Sequence, residues 1–516
     1  MDLSNGSGNS LLLVFSLGIW PFLVHFFIKY LWRPWMIYRA LKKEGFKGPS
    51  PRFMIGNLLD IANTVQHQLL TDMPSIHHDF KNRAFPYIVK WSETYGEKFF
   101  MWFGYEPRIV LSDAELVRQL LSSKNLTDSG RSPMVQKMLS VAFGKGLLTV
   151  NGQKWSRQRR IVAPAFHTEK LKAYVDIMSI CTAQMVDVWN KILGEATETP
   201  CELELSAYMG ELTADIFMRV GFGMDYKHGR EIYEDINRLE ELMIHNVRYL
   251  WLPGTRYIPT PTNIELWKRS RRLERNLKHT MHNRRESGSY GHDLLGLMLS
   301  EIDSEKDFIY TTQQVMDECK TFFLAGRETT SLLLSWAILL LALNQDWQHK
   351  AREEAMTVCG NSHPTMDSLG KLKTVGMILN ETLRLYPPAA GIVRQAFKDI
   401  KLGNDFMVPK DLNVVIDLLS MHRDPRYWGD DGNEFRPERF REGISKATNN
   451  HPAAFIPFSS GPRVCIGQNF AMLEAKVVMT MMLRIFKFGL PSSYRHAPVA
   501  LPYDQTSAWH SNSGGK

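Results

Sequence analysis

The stretch from Phe458 to Gly467, Phe-Ser-Ser-Gly-Pro-Arg-Val-Cys-Ile-Gly, constrains the fold of this chain most strongly. It is a turn-rich loop with a single cysteine, Cys465, and a long apolar helical pattern follows it from Asn469 to about Arg484. A thiolate can ligate a metal, and one thiolate without a partner suits haem better than zinc or an iron–sulfur cluster. The residues therefore predict a haem-binding loop packed against a buried helix.

Other residues of this loop fit the same interpretation. Glycines at 461 and 467 allow a sharp turn and a close approach of the backbone to a flat ligand. Arg463 can reach an anionic group at the edge of that ligand, and backbone N–H groups at the start of the next helix can stabilise the thiolate. A buried structural cysteine in a turn is the alternative interpretation of Cys465.

A second motif lies inside a long helical pattern that runs from Thr312 to Asn344. Its middle reads Ala-Gly-Arg-Glu-Thr-Thr over residues 325–330, and glycine and threonine are poor helix formers. A threonine hydroxyl can bond back to a carbonyl and bend the helix, which leaves room for a small ligand. Glu328 followed by Thr329 is a plausible proton relay for oxygen activation. A buried helix with a polar kink is the alternative.

A third element combines Glu381 and Arg384, three apart at the end of a helix that Pro387 stops, with Arg439 in the segment Phe435–Phe440. Glu–Arg pairs at this spacing are usually exposed and weak. Here leucines flank the pair and a second arginine follows. We therefore expect a buried charge network, whose disruption leaves an unpaired buried charge.

These motifs resemble those of the cytochrome P-450 superfamily, whose haem loop reads Phe-x-x-Gly-x-Arg-x-Cys-x-Gly. The resemblance implies a mainly α fold of about a dozen helices with a small β-rich region, behind an N-terminal transmembrane helix. It implies haem b with Cys465 as the iron ligand and a monooxygenase reaction with O2 and a small hydrophobic or amphipathic molecule. Electrons would come from NADPH through NADPH–cytochrome P-450 reductase, which would dock on a basic surface that includes Arg157 and Arg160.

The resemblance also assigns roles to individual residues. Haem contacts would come from Trp155, Arg159, Arg394, Phe458, Arg463, Cys465 and Gly467. Glu328 and Thr329 would be catalytic, and Glu381, Arg384 and Arg439 would form the structural network. The substrate pocket would include Phe322, Ala325, Gly326, Ala389 and Ile392.

Among plant members, several stretches resemble the clan that contains the cytokinin trans-hydroxylases, including residues 129–132, 151–155, 163–166 and 317–323. The resemblance implies trans-hydroxylation of the isopentenyl side chain of a cytokinin. A brassinosteroid or gibberellin hydroxylase is the alternative within the class. Two further hypotheses are a haem-thiolate isomerase that acts on hydroperoxides without a reductase and a catalytically impaired haem protein.

The N-terminal residues predict a membrane anchor. Residues 10–28 carry no formal charge, and Lys29, Arg33, Arg39, Lys42 and Lys43 follow them. That length spans a hydrocarbon core, and the basic flank places the bulk of the chain in the cytosol. The alternative is a cleaved signal peptide. We expect a single-pass protein of the endoplasmic reticulum membrane with a lumenal tail (1–9), an anchor (10–28), a basic linker and proline-rich hinge (29–52), a catalytic domain (53–490) and a polar tail (491–516).

Composition supports this division. The net charge of +8, without basic runs interleaved with aromatics, favours an acidic partner or a membrane surface over nucleic acid. Five cysteines without a CxxC motif indicate a reducing compartment. The pattern also predicts a hairpin over 99–111, a capping box at 112–115, and a long loop over 128–150 with brief helical turns. No alternating strand is predicted after Leu490, where relatives carry a substrate-contacting hairpin.

Overall fold

A computed structural model describes residues 20–21, 23–69, 73, 75–122, 127–195, 201–250, 254–302, 311–404, 406–500 and 509–511. Most of them are helical. The α-helices are α1 (Arg33–Lys43), α2 (Leu58–Leu69), α3 (Lys81–Ala84), α4 (Pro86–Tyr95), α5 (Ala114–Leu120), α6 (Pro133–Phe143), α7 (Gly152–Val162), α8 (Thr168–Glu195), α9 (Leu205–Phe222), α10 (Tyr226–Leu250), α11 (Pro261–Glu286), α12 (Leu294–Ile302), α13 (Thr312–Leu343), α14 (Gln345–Cys359), α15 (Met366–Lys371), α16 (Lys373–Leu385), α17 (Leu418–Met421), α18 (Pro425–Trp428), α19 (Ile444–Ala447) and α20 (Gln468–Ile485).

The strands form three small sheets. They are β1 (Phe100–Phe103), β2 (Glu106–Leu111), β3 (Ser129–Gly130), β4 (Gly391–Ala396), β5 (Ile400–Leu402), β6 (Phe406–Val408), β7 (Asn413–Asp417), β8 (Pro498–Ala500) and β9 (Trp509–Ser511). The largest sheet has the order β1-β2-β7-β4-β3, and β5-β6 and β8-β9 are separate pairs. The predicted hairpin is the β1–β2 pair, in which Phe100 lies opposite Ile109.

Helix α13 lies at the centre of the core. Thr311 caps its N-terminus, and the side chain of Gln314 completes a capping box that fixes the first turn. Its C-terminal half, from Leu332 to Leu341, is almost entirely buried against α9, α16 and α20. Among the described residues it is the one helix long and apolar enough to span a membrane. Because 67% of its most apolar window is buried inside the fold, we interpret it as a core helix.

The predicted anchor, residues 10–28, lies largely outside the described residues and remains a prediction. The part that is described carries several exposed apolar side chains, among them Leu23, Val24 and Phe27. The chain continues from Ile28 through a short π-helical turn into α1.

The prediction of a long loop over residues 128–150 is wrong. The structure places β3 and the three-turn helix α6 there. Ser132 accepts a hydrogen bond from the N–H of Val135, and Pro133 occupies the first helical turn, where its missing N–H costs nothing. The pair Ser132-Pro133 thus marks the start of a helix. The glycine and proline content of the segment had instead led us to predict a loop.

The start of α5 also differs from the expectation. The capping residue is Asp113 rather than Ser112, and its carboxylate accepts hydrogen bonds from the N–H groups of Glu115 and Leu116. The side chain of Glu115 pairs with Arg118 instead of reaching back to the helix start. The helix is present as expected, but it is capped by one acidic residue and not by a capping box.

The C-terminal segment does contain paired strands, contrary to the expectation. Strands β8 and β9 pair antiparallel, with Pro498 opposite Ser511. The backbone carbonyl of Pro498 accepts a hydrogen bond from Arg83 Nε at 3.0 Å, and that of His496 accepts one from the Met73 N–H. Residues beyond 490 are therefore integrated with the N-terminal part of the described chain.

A buried polar chain attaches this segment to the core. Tyr494 Oη lies 3.0 Å from His496 Nδ1, His496 Nε2 lies 3.3 Å from Tyr386 Oη, and Tyr386 Oη lies 2.8 Å from His78 Nδ1. The Tyr386 ring is stacked between Trp336 of α13 and Phe80, at centroid distances of 4.3 and 4.8 Å. The hydrogen bonds keep the buried phenol and imidazoles satisfied.

We predict that acid destabilises the fold through His78 and His496. Burial, aided by Arg423 for His78 and by His77 for His496, lowers the pKa of His78 to about 3 and that of His496 to about 4. The unfolded chain binds these protons near pH 6.5, so stability is present above that pH and falls as the pH decreases towards about 4. Thermal denaturation should show that the melting temperature falls less between pH 6.5 and pH 4 in His496→Gln than in the surface control His349→Gln. Equal pH dependence in both variants would contradict the assignment.

Candidate active site

The loop before α20 is closed by backbone hydrogen bonds. The Cys465 N–H donates to the carbonyl of Phe458 at 2.9 Å, and the Val464 N–H donates to that of Gly461 at 3.0 Å. Gly461 has a φ of +70°, and a Cβ at this position would collide with the carbonyl oxygen of Leu121. Glycine is therefore required at residue 461 by both conformation and space.

Gly467 does not have the same role, which corrects the expectation of a sharp turn there. Its φ of −91° suits any residue, and a Cβ would make only an ordinary contact of 3.7 Å with Phe166. Its contribution is its N–H, which donates a hydrogen bond towards the sulfur of Cys465. This donor lies at the N-terminus of α20, where the helix dipole also favours a negative charge.

Cys465 is an exposed residue, although protein surrounds most of its thiol. Burial raises its pKa, whereas the Gly467 N–H and the positive charge of Arg159 lower it. The thiol is thus largely surrounded by protein and still has an accessible side for a ligand.

Four arginines from distant parts of the chain converge near this loop. Arg394 of β4 is buried and donates to the carbonyl of Val393 at 3.0 Å. Burial, followed by the charges of Arg131 and Arg463, lowers the pKa of Arg394 well below its usual range. Burial also lowers the pKa of Arg463 to about 10, with Arg131 and Arg159 contributing. Because like charges oppose one another here, the cluster favours binding of an anion.

Helix α7 contributes the other predicted haem contacts. Trp155 is buried, and the guanidinium carbons of Arg463 and Arg159 lie 4.6 and 5.5 Å from its ring centroid. The Trp155–Arg159 spacing thus brings both side chains to the same side as Arg463, because residues four apart share a helix face. Phe458 is partly buried and packs against the main hydrophobic core.

These residues fit haem by their chemistry. The thiol of Cys465 has an accessible side, and the buried Nε of Arg463 lacks a hydrogen-bond partner. Among the described residues, Arg394 and Arg463 form no ion pair with a carboxylate. A ligand with carboxylate groups at one edge and a metal at its centre would satisfy both features at once.

We predict that Arg394→Gln weakens haem binding without destabilising the haem-free protein. The substitution removes a donor to an anionic group, worth about 1.5–3 kcal/mol, and also relieves repulsion within the arginine cluster. Transfer of haem to an excess of apomyoglobin should be roughly ten- to a hundredfold faster. The control Arg160→Gln alters an exposed arginine on the same helix as Trp155. Equal transfer rates in the two variants would contradict the role of Arg394.

The middle of α13 has a side-chain hydrogen bond of the kind that the sequence predicts, within a helix that is continuous from Thr312 to Leu343. The Thr329 hydroxyl donates to the carbonyl of Ala325 at 2.7 Å, as threonine does when it bends a helix. Ala325 and Thr329 are both accessible, whereas Arg327 and Thr330 on the same helix are buried. An open space therefore lies along one side of the helix, bordered by a methyl group and a hydroxyl group.

Glu328 is held in a local ion pair. Its Oε2 lies 2.9 Å from Arg327 Nη2, and the same guanidinium nitrogen lies 2.9 Å from Glu240 Oε2 of α10. The exposed fraction of the Glu328 side chain is 14%. The acid of the predicted relay is thus next to the hydroxyl in sequence, but it is tied to a neighbouring arginine.

Two predicted pocket residues have other contacts. A Cβ at Gly326 would lie 2.5 Å from Cδ2 of Phe217 on α9, so this glycine allows two helices to pack closely and does not border the open space. Phe322 is buried and stacks on Phe166 at a centroid distance of 5.6 Å. Phe166 also contacts Phe470 of α20 edge-on, so a chain of rings connects α13 to the helix that follows Cys465.

The last two predicted pocket residues lie around the start of β4. Ile392 is buried and pairs in register with Ile416 of β7, and Ala389 is half-buried in the turn before the strand. The same strand carries Arg394, whose side chain reaches the arginine cluster. Strand β4 therefore connects the proposed substrate-facing turn with the anion-binding cluster.

The charge network has the predicted contacts. Glu381 and Arg384 of α16 are fully buried and form two hydrogen bonds of 2.7 Å, and Arg439 Nε lies 3.6 Å from Glu381 Oε1. Arg384 also donates to the carbonyls of His422, Gly432 and Glu434. The network joins α16 to the irregular segment that leads to the Cys465 loop.

Residues to which the sequence analysis gave no structural role position α7. The side-chain amide of Asn151 donates to the Arg131 carbonyl at 2.8 Å, and its Oδ1 accepts from the Arg131 N–H and from Arg463 Nη2. Asp317 and Glu318 of α13 accept hydrogen bonds from the N–H groups of Lys145 and Leu147. They attach the loop before α7 to the central helix. The sequence signal was the resemblance over residues 317–323, which did not specify these contacts.

The comparisons agree with this geometry. A family model described as Cytochrome P450 matches residues 62–499. This chain therefore belongs to the cytochrome P450 family, a class of haem-thiolate monooxygenases, and has that family's mostly helical fold with a small sheet region. Two proteins of Arabidopsis thaliana named "Cytokinin hydroxylase" are each 41% identical to it. The first match covers 92% of this chain and 91% of the relative, and the second covers 95% of each. "Cytochrome P450 734A6" of Oryza sativa subsp. japonica is 36% identical over 91% of this chain and 89% of its own length.

Proposed function

We propose that this monooxygenase hydroxylates the isopentenyl side chain of a cytokinin at its trans position. The observation that supports this substrate is the 41% identity, over nearly the full length of both chains, to two proteins named for cytokinin hydroxylation. We further propose that the chain is anchored in the endoplasmic reticulum membrane by residues 10–28. NADPH–cytochrome P450 reductase would supply electrons by docking on a basic surface that includes the exposed Arg157 and Arg160 of α7.

The residues divide the chemistry between two sides of the site. Cys465 would hold the iron through its thiolate, and the arginine cluster with Trp155 would orient the haem through its carboxylates. Bound haem supplies oxygen activation, which thiolate ligation favours. On the α13 side, Thr329 Oγ1 borders the open space and can hold a proton there. When the Glu328 carboxyl separates from Arg327, it can supply the next proton to this hydroxyl. Ala325, Ala389 and Ile392 would present apolar surface to the substrate.

The test of this function is turnover by the full chain in membranes with a plant reductase and NADPH. We expect isopentenyladenine or its riboside or nucleotide to yield the trans-hydroxylated product. Brassinosteroids and gibberellins serve as comparison substrates, and their conversion in place of isopentenyladenine would overturn the proposed substrate. Conversion of a fatty-acid hydroperoxide without NADPH would instead indicate an isomerase.

We predict that Thr329→Ala uncouples the reaction. Removing the hydroxyl takes away the proton-holding group at the open space but leaves Cys465 and the arginine cluster intact. The variant should bind haem and substrate as the wild type does, while a larger share of its NADPH consumption ends in peroxide rather than in hydroxylated product. Peroxide and product measured in the same reaction will show this ratio. An unchanged ratio would exclude Thr329 from the relay.

A further inference from the structure

A carboxyl group that the mechanism does not use lies buried behind the active site. Glu474 of α20 has no exposed surface, and neither of its carboxyl oxygens has a hydrogen-bond partner of normal geometry. Among the described residues no lysine, arginine or histidine forms an ion pair with it. An ionised carboxylate without a partner is very costly in such a place, so the environment of Glu474 calls for a neutral acid that donates a hydrogen bond.

The acceptor is on α13. Thr330 is also buried, and its hydroxyl likewise lacks a partner of normal geometry. Among the described residues it is the side chain that forms a hydrogen-bonding interaction with the Glu474 carboxyl. Because neither group has another partner in the described part of the chain, a hydrogen bond between them satisfies the carboxyl donor and gives the hydroxyl a partner. Thr330 directly follows Thr329, whose hydroxyl borders the open space of the active site.

The charges around Glu474 support the neutral form. Burial raises the pKa of Glu474 well above its usual range, and the interaction with Thr330 offsets only part of this. On the neighbouring helix α8, Cys181 is also buried, and burial raises the pKa of its thiol as well, with Asp215 and Glu474 among the contributing groups. Thus α13 presents a hydroxyl to Glu474 and α8 presents a neutral thiol, and neither presents a cation.

We propose that Glu474 is a positioning residue: its protonated carboxyl donates a hydrogen bond to Thr330 Oγ1 and thereby fixes the turn of α13 that carries Thr329 against the helix that follows Cys465. The contact connects the helix of the thiolate loop with the turn that holds the proton relay. This inference deepens the proposed monooxygenase function and rests on it for its effect on coupling, although the hydrogen bond itself does not depend on the substrate.

The protonation state can be observed directly. Infrared spectroscopy of the purified full-length holoenzyme in H2O and D2O should show the C=O stretch of a protonated, hydrogen-bonded carboxyl group near neutral pH. That band should be absent in Glu474→Gln and should shift in Thr330→Val. Persistence of the band in Glu474→Gln, or its absence from the wild type, would overturn the proposal.

The positioning role is tested with three variants. Glu474→Gln keeps a neutral donor and should retain the wild-type ratio of product to peroxide. Glu474→Leu and Thr330→Val remove the hydrogen bond and should each increase the peroxide formed per NADPH by roughly two- to tenfold. The double variant should be no worse than the more impaired single variant, because both remove the same contact. Impairment of Glu474→Gln equal to that of Glu474→Leu, or additive effects, would overturn the role.

A thermal double-mutant cycle separates failure of this inference from failure of the proposed function. If the wild type turns over none of the substrates, the function fails, but the melting temperatures of the four proteins still report the contact. Decreases in the melting temperatures of Glu474→Leu and Thr330→Val that are not additive in the double variant would support the contact, and additive decreases would overturn it. If Glu474→Leu does not fold, the infrared spectrum of Thr330→Val decides, and a carboxyl band at the wild-type position in this variant would overturn the hydrogen bond.

Discussion

Replacing Cys465 with serine will abolish hydroxylation and remove the thiolate signature from the haem spectrum. Serine has nearly the same shape, but its alcohol is a far poorer ligand for iron than a thiolate and does not donate charge as sulfur does. In the structure the Gly467 N–H and the charge of Arg159 are both directed at this one sulfur. We therefore expect complete loss of product formation, measured with reductase and NADPH, together with reduced haem content.

Cys201→Ser is the matched control for this substitution. Cys201 is half-buried between α8 and α9 and its thiol contacts only a backbone carbonyl among the described residues. The control should keep full activity and the thiolate spectrum. Loss of activity in both variants would indicate a general requirement for thiols. Retention of the thiolate spectrum in Cys465→Ser would contradict Cys465 as the ligand.

Replacing Glu381 with alanine will give the largest loss of stability. The substitution leaves the fully buried Arg384 without its carboxylate and removes the acceptor for the Arg436 N–H at 2.8 Å. An unpaired buried charge of this kind costs about 3–5 kcal/mol, a large part of the stability of an ordinary domain. We expect most of the protein to be made without haem or to be degraded, as measured by haem content and thermal denaturation in membranes.

The pair Glu115 and Arg118 provides the control because it has the same three-residue spacing on a helix. Its side chains are 54% and 58% exposed, so solvent screens the interaction. Glu115→Ala should leave haem content and melting temperature nearly unchanged. If Glu381→Ala behaves like this control, the buried network does not hold the region before the Cys465 loop in place.

The parts of the fold that the sequence predicted well are those with strong local signals. The limits of α13 were predicted to within a residue from its apolar helical pattern, and the structure shows a capping box of Thr311 and Gln314 at its start. Likewise, the Phe458–Gly467 loop combines turn residues with one cysteine before an apolar helix. In both places local sequence preference and burial agree, which is when prediction from sequence works best.

Other features depend on contacts between residues far apart in the chain, which local pattern cannot show. Gly326 was expected at the open space, but the ring of Phe217 from α9 occupies that side. Strand β8 is held by Arg83 and by its pairing with β9, and its own sequence does not alternate. The sequence predicted Arg159, Arg394 and Arg463 as haem contacts but did not place Arg131 beside them. Asn151 holds the backbone of Arg131 in this position, and this contact is not visible in the sequence.

The measurement that tests the central claim most directly is the carbon monoxide difference spectrum of the reduced full-length protein in membranes. The account predicts the red-shifted Soret band of haem with a thiolate ligand, since Cys465, the Gly467 N–H and the arginine cluster together form a thiolate haem site. A spectrum typical of a histidine or displaced thiolate ligand, or no haem at all, would contradict the claim that this chain forms the working site.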